Sequence, residues 1–289
     1  MANPLASALW TALKGYAHVA PTQRGGYRLA RLARRFVPRD HWRGRFTTVG
    51  NVSLDLNLGT YPDCCMACGL FELDTFRTLR RIVRPGSHVV DCGANVGYFT
   101  LQAARLVGPT GRVDAFEPDP LNRERLEANL TSNGAPAHVK VHATAVSDAD
   151  GWATLYHPAE AARNHGESSL FAPAAGRPSD TFSVPTARLD AVLERTPDVV
   201  KMDVEGAELG ALRGATGLLK GDRAPQWVIE HNAESAAAAG HRPGDLWRFL
   251  RAQRPGYRAF WIGWRLWEFG TPEEIDATGR QGNILYRAG

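Results

Sequence analysis

Five apolar runs punctuate the middle of the chain, within residues 88–100, 112–120, 139–148, 198–208 and 226–232, and each closes on polar residues. Stretches of helical spacing lie between them, such as Leu121 to Leu130. Runs without a polar alternate face predict strands buried on both sides, so the alternation points to a parallel sheet covered by helices on both faces. Ligands of such a sheet sit beyond the carboxyl ends of its strands. Phe71 to Val83 has helical spacing and ends at Arg84-Pro-Gly-Ser87. Val52 to Leu58 alternates cleanly and predicts a strand with one buried face. Tyr257 to Phe269 is crowded with aromatic residues and reads as a hairpin turning near Gly263, with Asn283 to Tyr286 as a last strand and an antiparallel edge. Residues 157–185 are rich in Ala, Gly, Pro and Ser without firm periodicity, which predicts an insertion lying over the site. These patterns divide the chain into a basic helical or cap extension over residues 1–75 and an α/β domain over 76–289.

Candidate chemistry concentrates at the ends of the apolar runs. The stretch His88-Val-Val-Asp-Cys-Gly-Ala-Asn-Val-Gly-Tyr-Phe-Thr100 reads as a strand, a glycine-bearing turn and a helix. A turn of this kind presents backbone N–H groups at a helix N-terminus, where an anion binds well. Gly93 and Gly97 would let a ligand approach the backbone. The spacing Asp-x-Gly-x-x-x-Gly differs from the Gly-x-Gly-x-x-Gly of nicotinamide-cofactor proteins. Glu117 closes the second strand twenty-six residues after Asp91. A carboxylate there can accept hydrogen bonds from both hydroxyls of a ribose. Asp203 closes the fourth run, and Glu230, His231 and Asn232 close the fifth.

Taken together, Asp91-Cys-Gly-Ala-Asn-Val-Gly97, Phe116-Glu-Pro-Asp-Pro120, Lys201-Met-Asp-Val-Glu-Gly-Ala-Glu208 and Ile229-Glu-His-Asn232 resemble the FkbM family of S-adenosylmethionine-dependent methyltransferases. Ala145-Val-Ser-Asp148, Ser168-Ser-Leu170, Leu189-Asp190, Leu212-Arg-Gly-Ala215 and Asn283-Ile-Leu-Tyr286 agree with it, and the likeness covers roughly residues 70 to 289. Cys92 departs from the aliphatic residue usual there, and a thiol is a small buried hydrophobe that the position tolerates. The resemblance implies a Rossmann-like class I methyltransferase fold. It has a mostly parallel seven-stranded sheet, an antiparallel C-terminal edge and a small N-terminal extension.

The resemblance also implies roles. S-adenosyl-L-methionine would meet Asp91, Gly93, Ala94, Asn95, Gly97, Glu117, Pro118, Ala145, Val146 and Asp203. The family acts largely on hydroxyls of sugars and natural-product scaffolds. Proton removal from such a hydroxyl would fall to Asp203, His231 or Glu230. Asp203, Glu230 and Asn232 also resemble the ligands of metal-dependent catechol methyltransferases, so magnesium or manganese is an alternative way to lower a hydroxyl pKa. A nitrogen or carboxylate acceptor on a peptide or amino compound remains open. His157, His165 and Ser168 lie in the insertion, within possible reach of an acceptor. Glu205 and Glu208 fit helix capping better than substrate binding. Lys201 sits in a buried strand, which predicts that its amine reaches a carboxylate at the sheet edge.

Charge sharpens the picture at the N-terminus. Residues 1–45 carry nine lysines and arginines against Asp40, a net of +8 that leaves −4 for the other 244 residues. Tyr27 to Val37 places apolar residues at 29, 32, 33, 36 and 37, a helical stripe backed by arginines. Two uses fit it: peripheral contact with anionic lipid, or docking on the catalytic domain or a second subunit. A non-catalytic scaffold built on this helix is the reading outside the enzyme class. The mildly acidic remainder has no recognised nucleic-acid module. No apolar run reaches the length that spans a bilayer. Met1 to Ala20 is unlike a secretion signal because Lys14 interrupts its apolar stretch. The cysteines Cys64, Cys65, Cys68 and Cys92 fit thiols in a reducing cytoplasm better than disulfides, and Cys65-x-x-Cys68 lacks the second pair of a zinc site. The expected partners are a hydroxylated small molecule and a further copy of the chain.

Overall fold

In a computed structural model, the described residues are 11–13, 15–16, 26–159, 168–173 and 178–289. Most of the stretch Met1 to Ala20, and His165, lie outside them. Strands β1 (Arg43–Thr47) and β2 (Ser53–Asn57) form an antiparallel pair, with Leu54 and Leu56 facing inward and Asp55 outward, as the alternation predicts. The main sheet is built from β3 (His88–Cys92), β4 (Arg112–Phe116), β5 (Val139–His142), β9 (Val199–Met202), β10 (Gln226–His231), β11 (Tyr257–Trp261), β12 (Trp267–Glu268) and β13 (Gly282–Ala288). A smaller sheet holds β6 (Ala145–Val146), β7 (Gly151–Pro158) and β8 (Ser179–Ala187) in the order β6-β8-β7.

The main sheet runs β12-β11-β13-β10-β9-β3-β4-β5. Its five central strands are parallel, and β13 and β11 add the antiparallel edge. This mostly parallel sheet with an antiparallel C-terminal edge is the Rossmann-like architecture that the resemblance implied. The two-residue β12 extends the expected seven strands to eight. All residues of β3 and β9 are buried, which is why these runs show no alternation.

Strand parity sorts the side chains onto two faces. Val90, Cys92, Val200, Met202, Trp227 and Ile229 join one core with the helices Leu189–Val192, Glu208–Arg213 and Gly244–Gln253. Val89, Val113, Val199 and Val228 join the other, with the helices Tyr98–Val107 and Pro120–Ser132 and with the N-terminal residues.

The N-terminal extension is therefore part of that second core, and no seam lies at 75/76. The helix Leu73–Ile82 runs through that position, and Leu54, Leu58, Cys68, Phe76 and Leu101 share one apolar cluster. Polar side chains complete the join. Asn133 both accepts from the Ser53 N–H (3.0 Å) and donates to the Ser53 carbonyl (2.6 Å), and Asn129 accepts from the Asp55 N–H (2.8 Å). The free edge of β2 thus finds its hydrogen bonds on a helix of the catalytic domain, a pairing that hydropathy does not encode. Cys64, Cys65 and Cys68 lie in the buried helix Asp63–Cys68.

Of the insertion expected over 157–185, residues 160–167 and 174–177 lie outside the described residues, and 157–158 and 179–185 are strand. β8 pairs along its whole length with β7, from Pro158↔Ser179 to Gly151↔Thr186. Its aperiodic reading has a physical cause: most of β8 is exposed or half-buried, and Val184 alone of its residues is buried. Among the described residues no helix is long and apolar enough to cross a membrane.

A charged cluster lies on the face opposite the N-terminal cap. Asp114 is fully buried, and Arg112 Nε donates to it at 2.7 Å while His88 Nε2 and His142 Nε2 lie 2.7 and 2.8 Å from its oxygens. Burial opposes the charge, but the hydrogen bonds from His142, His88 and Arg112 hold the Asp114 carboxyl well below its usual 3.8. Asp114→Asn takes the charge from a buried acceptor of three hydrogen bonds, and a loss of about 1.5–3 kcal/mol is expected in urea unfolding at pH 7. An acid with a lowered folded-state pKa stabilises above its unfolded value and loses that contribution as the pH falls. The gap between wild type and variant should therefore shrink below about pH 4, and a gap independent of pH would refute this assignment.

Candidate functional site

Strand parity also builds the site. Asp91, Glu117, Lys201, Asp203 and Glu230 alternate onto the face of the sheet shared with the N-terminal cap. At the carboxyl ends of these strands lies a cleft whose empty space, open mouth included, is about 1200 Å³. Gly93, Ala94, Asn95, Glu117, Pro118, Ala145, Val146, Lys201, Asp203 and Glu230 all line it. Asp91, Gly97, His231 and Asn232 do not.

The glycine turn differs from an anion nest. The N–H groups of Gly93 and Ala94 donate to the Phe116 carbonyl (both 3.0 Å), that of Asn95 to Glu117 Oε2 (2.6 Å), that of Val96 to Asn95 Oδ1 (2.7 Å) and that of Gly97 to the Ala94 carbonyl (2.8 Å). The N–H groups of residues 93–97 are therefore taken up by protein acceptors. The glycines serve packing as well as backbone conformation. At Gly93 (φ +79°) a β-carbon would lie 1.8 Å from the Asp203 carbonyl oxygen, and at Gly97 (φ +91°) 2.6 Å from Leu126 Cδ1. Gly93 lets β9 close against the turn, and Gly97 lets two helices meet. A phosphate-free nucleoside suits this turn better than a dinucleotide does.

Glu117 is buried at the cleft wall. Its Oε2 accepts the Asn95 N–H and its Oε1 the Asp119 N–H (3.0 Å). Each carboxylate oxygen keeps a second lone pair, so the group can still accept two hydroxyls. Burial pushes its pKa up to about 8, against the two backbone N–H bonds, with Asp119 and Asp91 adding to the rise. Asp119 fixes the next loop. Its Oδ1 caps the helix Pro120–Ser132 through the Leu121 N–H (2.8 Å). Its Oδ2 accepts from Ser168 Oγ (2.6 Å) and lies 2.5 Å from His157 Nδ1. His157 is thus a buried anchor behind the cleft rather than a group facing an acceptor, whereas Ser168 lines the cleft.

The far side of the cleft is acidic. Lys201 Nζ lies 3.2 Å from Asp203 Oδ2 and 5.0 Å over the Phe99 ring, which bears out the expected carboxylate contact. Burial works against the ammonium, yet Asp203, Asp91 and Glu72 around it carry its pKa above the ordinary lysine value. Asp91 sits beneath, opposite Lys201 in the strand register, and accepts from Thr100 Oγ1 at 2.6 Å. Carboxylate oxygens of Asp203, Glu205 and Glu230 lie within 4.8 Å of one another. Burial and the charges of Asp203, Glu205, Glu208 and Glu72 push Glu230 well above the usual carboxyl range. Its Oε1 accepts from Gln281 Nε2 (3.2 Å), while its Oε2 is buried without a hydrogen-bond partner. Glu205 is held at φ +50° and accepts from Ser235 Oγ (3.1 Å), which aims it at the cleft.

Two expectations change here. His231 follows Glu230 in the strand and so faces the other core. Its Nε2 lies 3.1 Å from Thr278 Oγ1, its ring packs edge-on against Trp261, and burial lowers its pKa. It is too far out of the cleft to serve as a base. Asn232 is the N-cap of the helix Ala233–Ala238, accepting from the Glu234 and Ser235 N–H groups, so the third candidate metal ligand is Glu205 instead. Glu208 caps its own turn by accepting from the Val204 and Gly206 N–H groups.

Sequence reading missed the wall supplied by the cap. Tyr61, Met66, Phe71 and Glu72 line the cleft, and Asn283 Nδ2 donates to Glu72 at 2.7 Å. Burial raises Glu72 to about 7, partly offset by Lys201. No motif marks these residues. Their position follows only from the packing of the extension onto the sheet.

The sequence profile of the FkbM methyltransferase domain matches residues 91–259. Methyltransferase sdnD of Sordaria araneosa is 33% identical over 155 residues, which are 44% of this chain and 59% of that protein. The AMB antimetabolite synthetase AmbE of Pseudomonas aeruginosa is 44% identical over 78 residues, 27% of this chain and 4% of that protein. The chain thus spans less than two thirds of either relative. The FkbM methyltransferase structure from Methylobacillus flagellatus superimposes with a TM-score of 0.44 at 20% identity, covering 76% of this chain and 54% of that one. The profile match extends from Asp91 in the first strand of the cleft through the glycine turn, Glu117 and both acidic strand ends, and covers more than half of the sequence: the chain belongs to the FkbM family of S-adenosylmethionine-dependent methyltransferases.

Proposed function

We propose that this methyltransferase O-methylates a hydroxyl of a small molecule, a sugar or another natural-product scaffold, in the cytoplasm. The observation that carries this reading is the acidic trio Asp203, Glu205 and Glu230 in the same cleft as Glu117. A hydroxyl acceptor must lose a proton as it is methylated, and a carboxylate at the strand ends can take it. Burial and neighbouring charge together push Glu230 well above the usual carboxyl range, and it shares a site with Asp203. The apolar wall of Tyr61, Met66 and Phe71 would receive the body of the acceptor. The bacterial relative is by name a synthetase of an antimetabolite, which agrees with a natural-product acceptor.

S-adenosylmethionine brings an electrophilic methyl group on a sulfonium, so covalent help from the protein is unnecessary. The residues present fit that cofactor: Glu117 for the ribose hydroxyls, the Gly93–Asn95 turn and Pro118 along its length, and Ala145 and Val146 as an apolar floor for the adenine. Asp91 and Gly97 support from behind, through Thr100 and Leu126. Lys201 holds Asp203 in place and offsets part of the local negative charge. The cap excludes water from the side opposite β9 and β10.

A divalent cation is the second reading, favoured by the spacing of the three carboxylates and by the partnerless Glu230 Oε2. Magnesium or manganese held by Asp203, Glu205 and Glu230 would lower the pKa of an acceptor hydroxyl. Turnover of a hydroxylated acceptor by EDTA-treated protein, with and without restored Mg²⁺ or Mn²⁺, separates the readings. Full activity after EDTA leaves the carboxylate alone as base, and activity recovered only with metal selects the cation.

Asp203→Asn should retain S-adenosylhomocysteine binding in calorimetry and lower kcat by about 10²–10⁴-fold. Lost cofactor affinity would instead put Asp203 in the cofactor site or in the fold. Glu117 makes a pH prediction. Ribose hydroxyls donate to the ionised carboxylate, so binding must expel the proton that Glu117 holds below its pKa of about 8. Affinity for 5′-methylthioadenosine, which has no titrating amino-acid portion, should rise with pH by up to about tenfold per unit and level off above pH 8. Glu117→Gln should bind more weakly with a flat pH profile. A wild-type affinity that does not vary with pH would remove Glu117 from the ribose.

A further inference from the structure

The helix Gly26–Arg34 and the turn that follows it carry a second surface unrelated to the cleft chemistry. One side is fastened to the protein. Ala30, Ala33 and Val37 are buried, Arg34 Nη1 donates to the carbonyls of Leu58 (2.9 Å) and Gly59 (3.1 Å), and its guanidinium stacks 4.6 Å over Trp42. Of the stripe read at 29, 32, 33, 36 and 37, Ala33 and Val37 are buried and Leu29 packs against the core, with Ala30 beside them, while Leu32 and Phe36 stay exposed. The other side repeats at helical spacing as Arg28, Arg31, Leu32, Arg35, Phe36 and Arg39, and all six are exposed. Leu32 is 51% and Phe36 53% exposed. The acid within this stretch, Asp40, is taken up by His41 Nδ1 at 3.1 Å.

We propose that this face docks the enzyme on an anionic lipid surface. Leu32 and Phe36 would enter the boundary between headgroups and acyl chains, and Arg28, Arg31, Arg35 and Arg39 would meet the lipid phosphates. An amphipathic basic helix with protruding Leu and Phe has the chemistry that interfacial helices use. A nucleic-acid backbone would satisfy the arginines but give the two apolar side chains nothing to bury against. A folded acidic protein would need a shaped pocket for Leu32 and Phe36, which a fluid interface does not. The surface also adjoins the acceptor wall. Arg39 and Arg43 share a shallow depression with Gly59 and Thr60, and the next residues, Tyr61 and Pro62, line the cleft. A docked enzyme would hold this part of the cleft wall near the membrane. The proposal does not depend on which acceptor the cleft takes.

The test is sedimentation of the full chain with vesicles of phosphatidylcholine alone and of phosphatidylcholine mixed with phosphatidylglycerol. Binding is expected only to the anionic vesicles and should weaken as salt is raised. Leu32→Ala/Phe36→Ala should bind at least about tenfold more weakly, and Arg31→Glu/Arg35→Glu should lose binding. Both variants should keep wild-type affinity for S-adenosylhomocysteine. A measurement on the unaltered protein stands beside the variants: amide hydrogen exchange over residues 26–37 should slow when anionic vesicles are added. Equal binding to neutral vesicles, binding unaffected by the Leu32 and Phe36 substitutions, retention by an RNA homopolymer but not by vesicles, or unchanged exchange over 26–37 would each overturn the proposal.

Discussion

Lys201 is the one fully buried lysine or arginine among the described residues, and the site is arranged around its charge. An ammonium removed from water is tolerated only with counter-charges close by. Asp203 supplies one on the same strand, Asp91 another on the neighbouring strand, and Glu72 a third from the cap. The same three acids would repel one another without it. Lys201 therefore couples three parts of the chain: the strand bearing the glycine turn, the strand bearing the candidate base, and the extension that closes the cleft. The Phe99 ring over its amine adds a fourth contact, from the helix that leaves the turn.

Negative charge still exceeds positive charge in the cleft. Asp203, Glu205, Glu208 and Glu72 crowd Glu230, which responds with a raised pKa. Such an excess is costly in an empty cleft and is relieved by a proton, a cation or a positively charged ligand. On the opposite wall Glu117 shows the same logic with a different purpose. Its backbone donors fix both oxygens, while burial raises its pKa to about 8.

The extension contributes more than its composition suggests. Its basic charge is spread along an outer face, while its apolar residues complete the core beneath the cleft. The asparagines Asn129 and Asn133, which hydrogen-bond to β2, fix it rigidly enough that Tyr61, Phe71 and Glu72 act as wall.

The sequence by itself determined the parallel sheet, the antiparallel edge and the family. These are local properties: buried runs lack alternation, and a turn that folds against a neighbouring strand must carry glycine where Gly93 meets Asp203. It also determined that acids would stand at the ends of β9 and β10. Only the tertiary structure decided which of them share a space. His231 and Asn232 are adjacent to Glu230 in sequence, but strand alternation turns one to the other core and a helix cap consumes the other. Glu205, read as a capping residue, is brought to the cleft by the left-handed backbone of its loop. Glu72 reaches Lys201 across more than a hundred residues, and no periodicity records such a meeting. Local pattern fixes what a segment becomes, whereas a site depends on where separate segments pack, and that is set by the fit of whole faces.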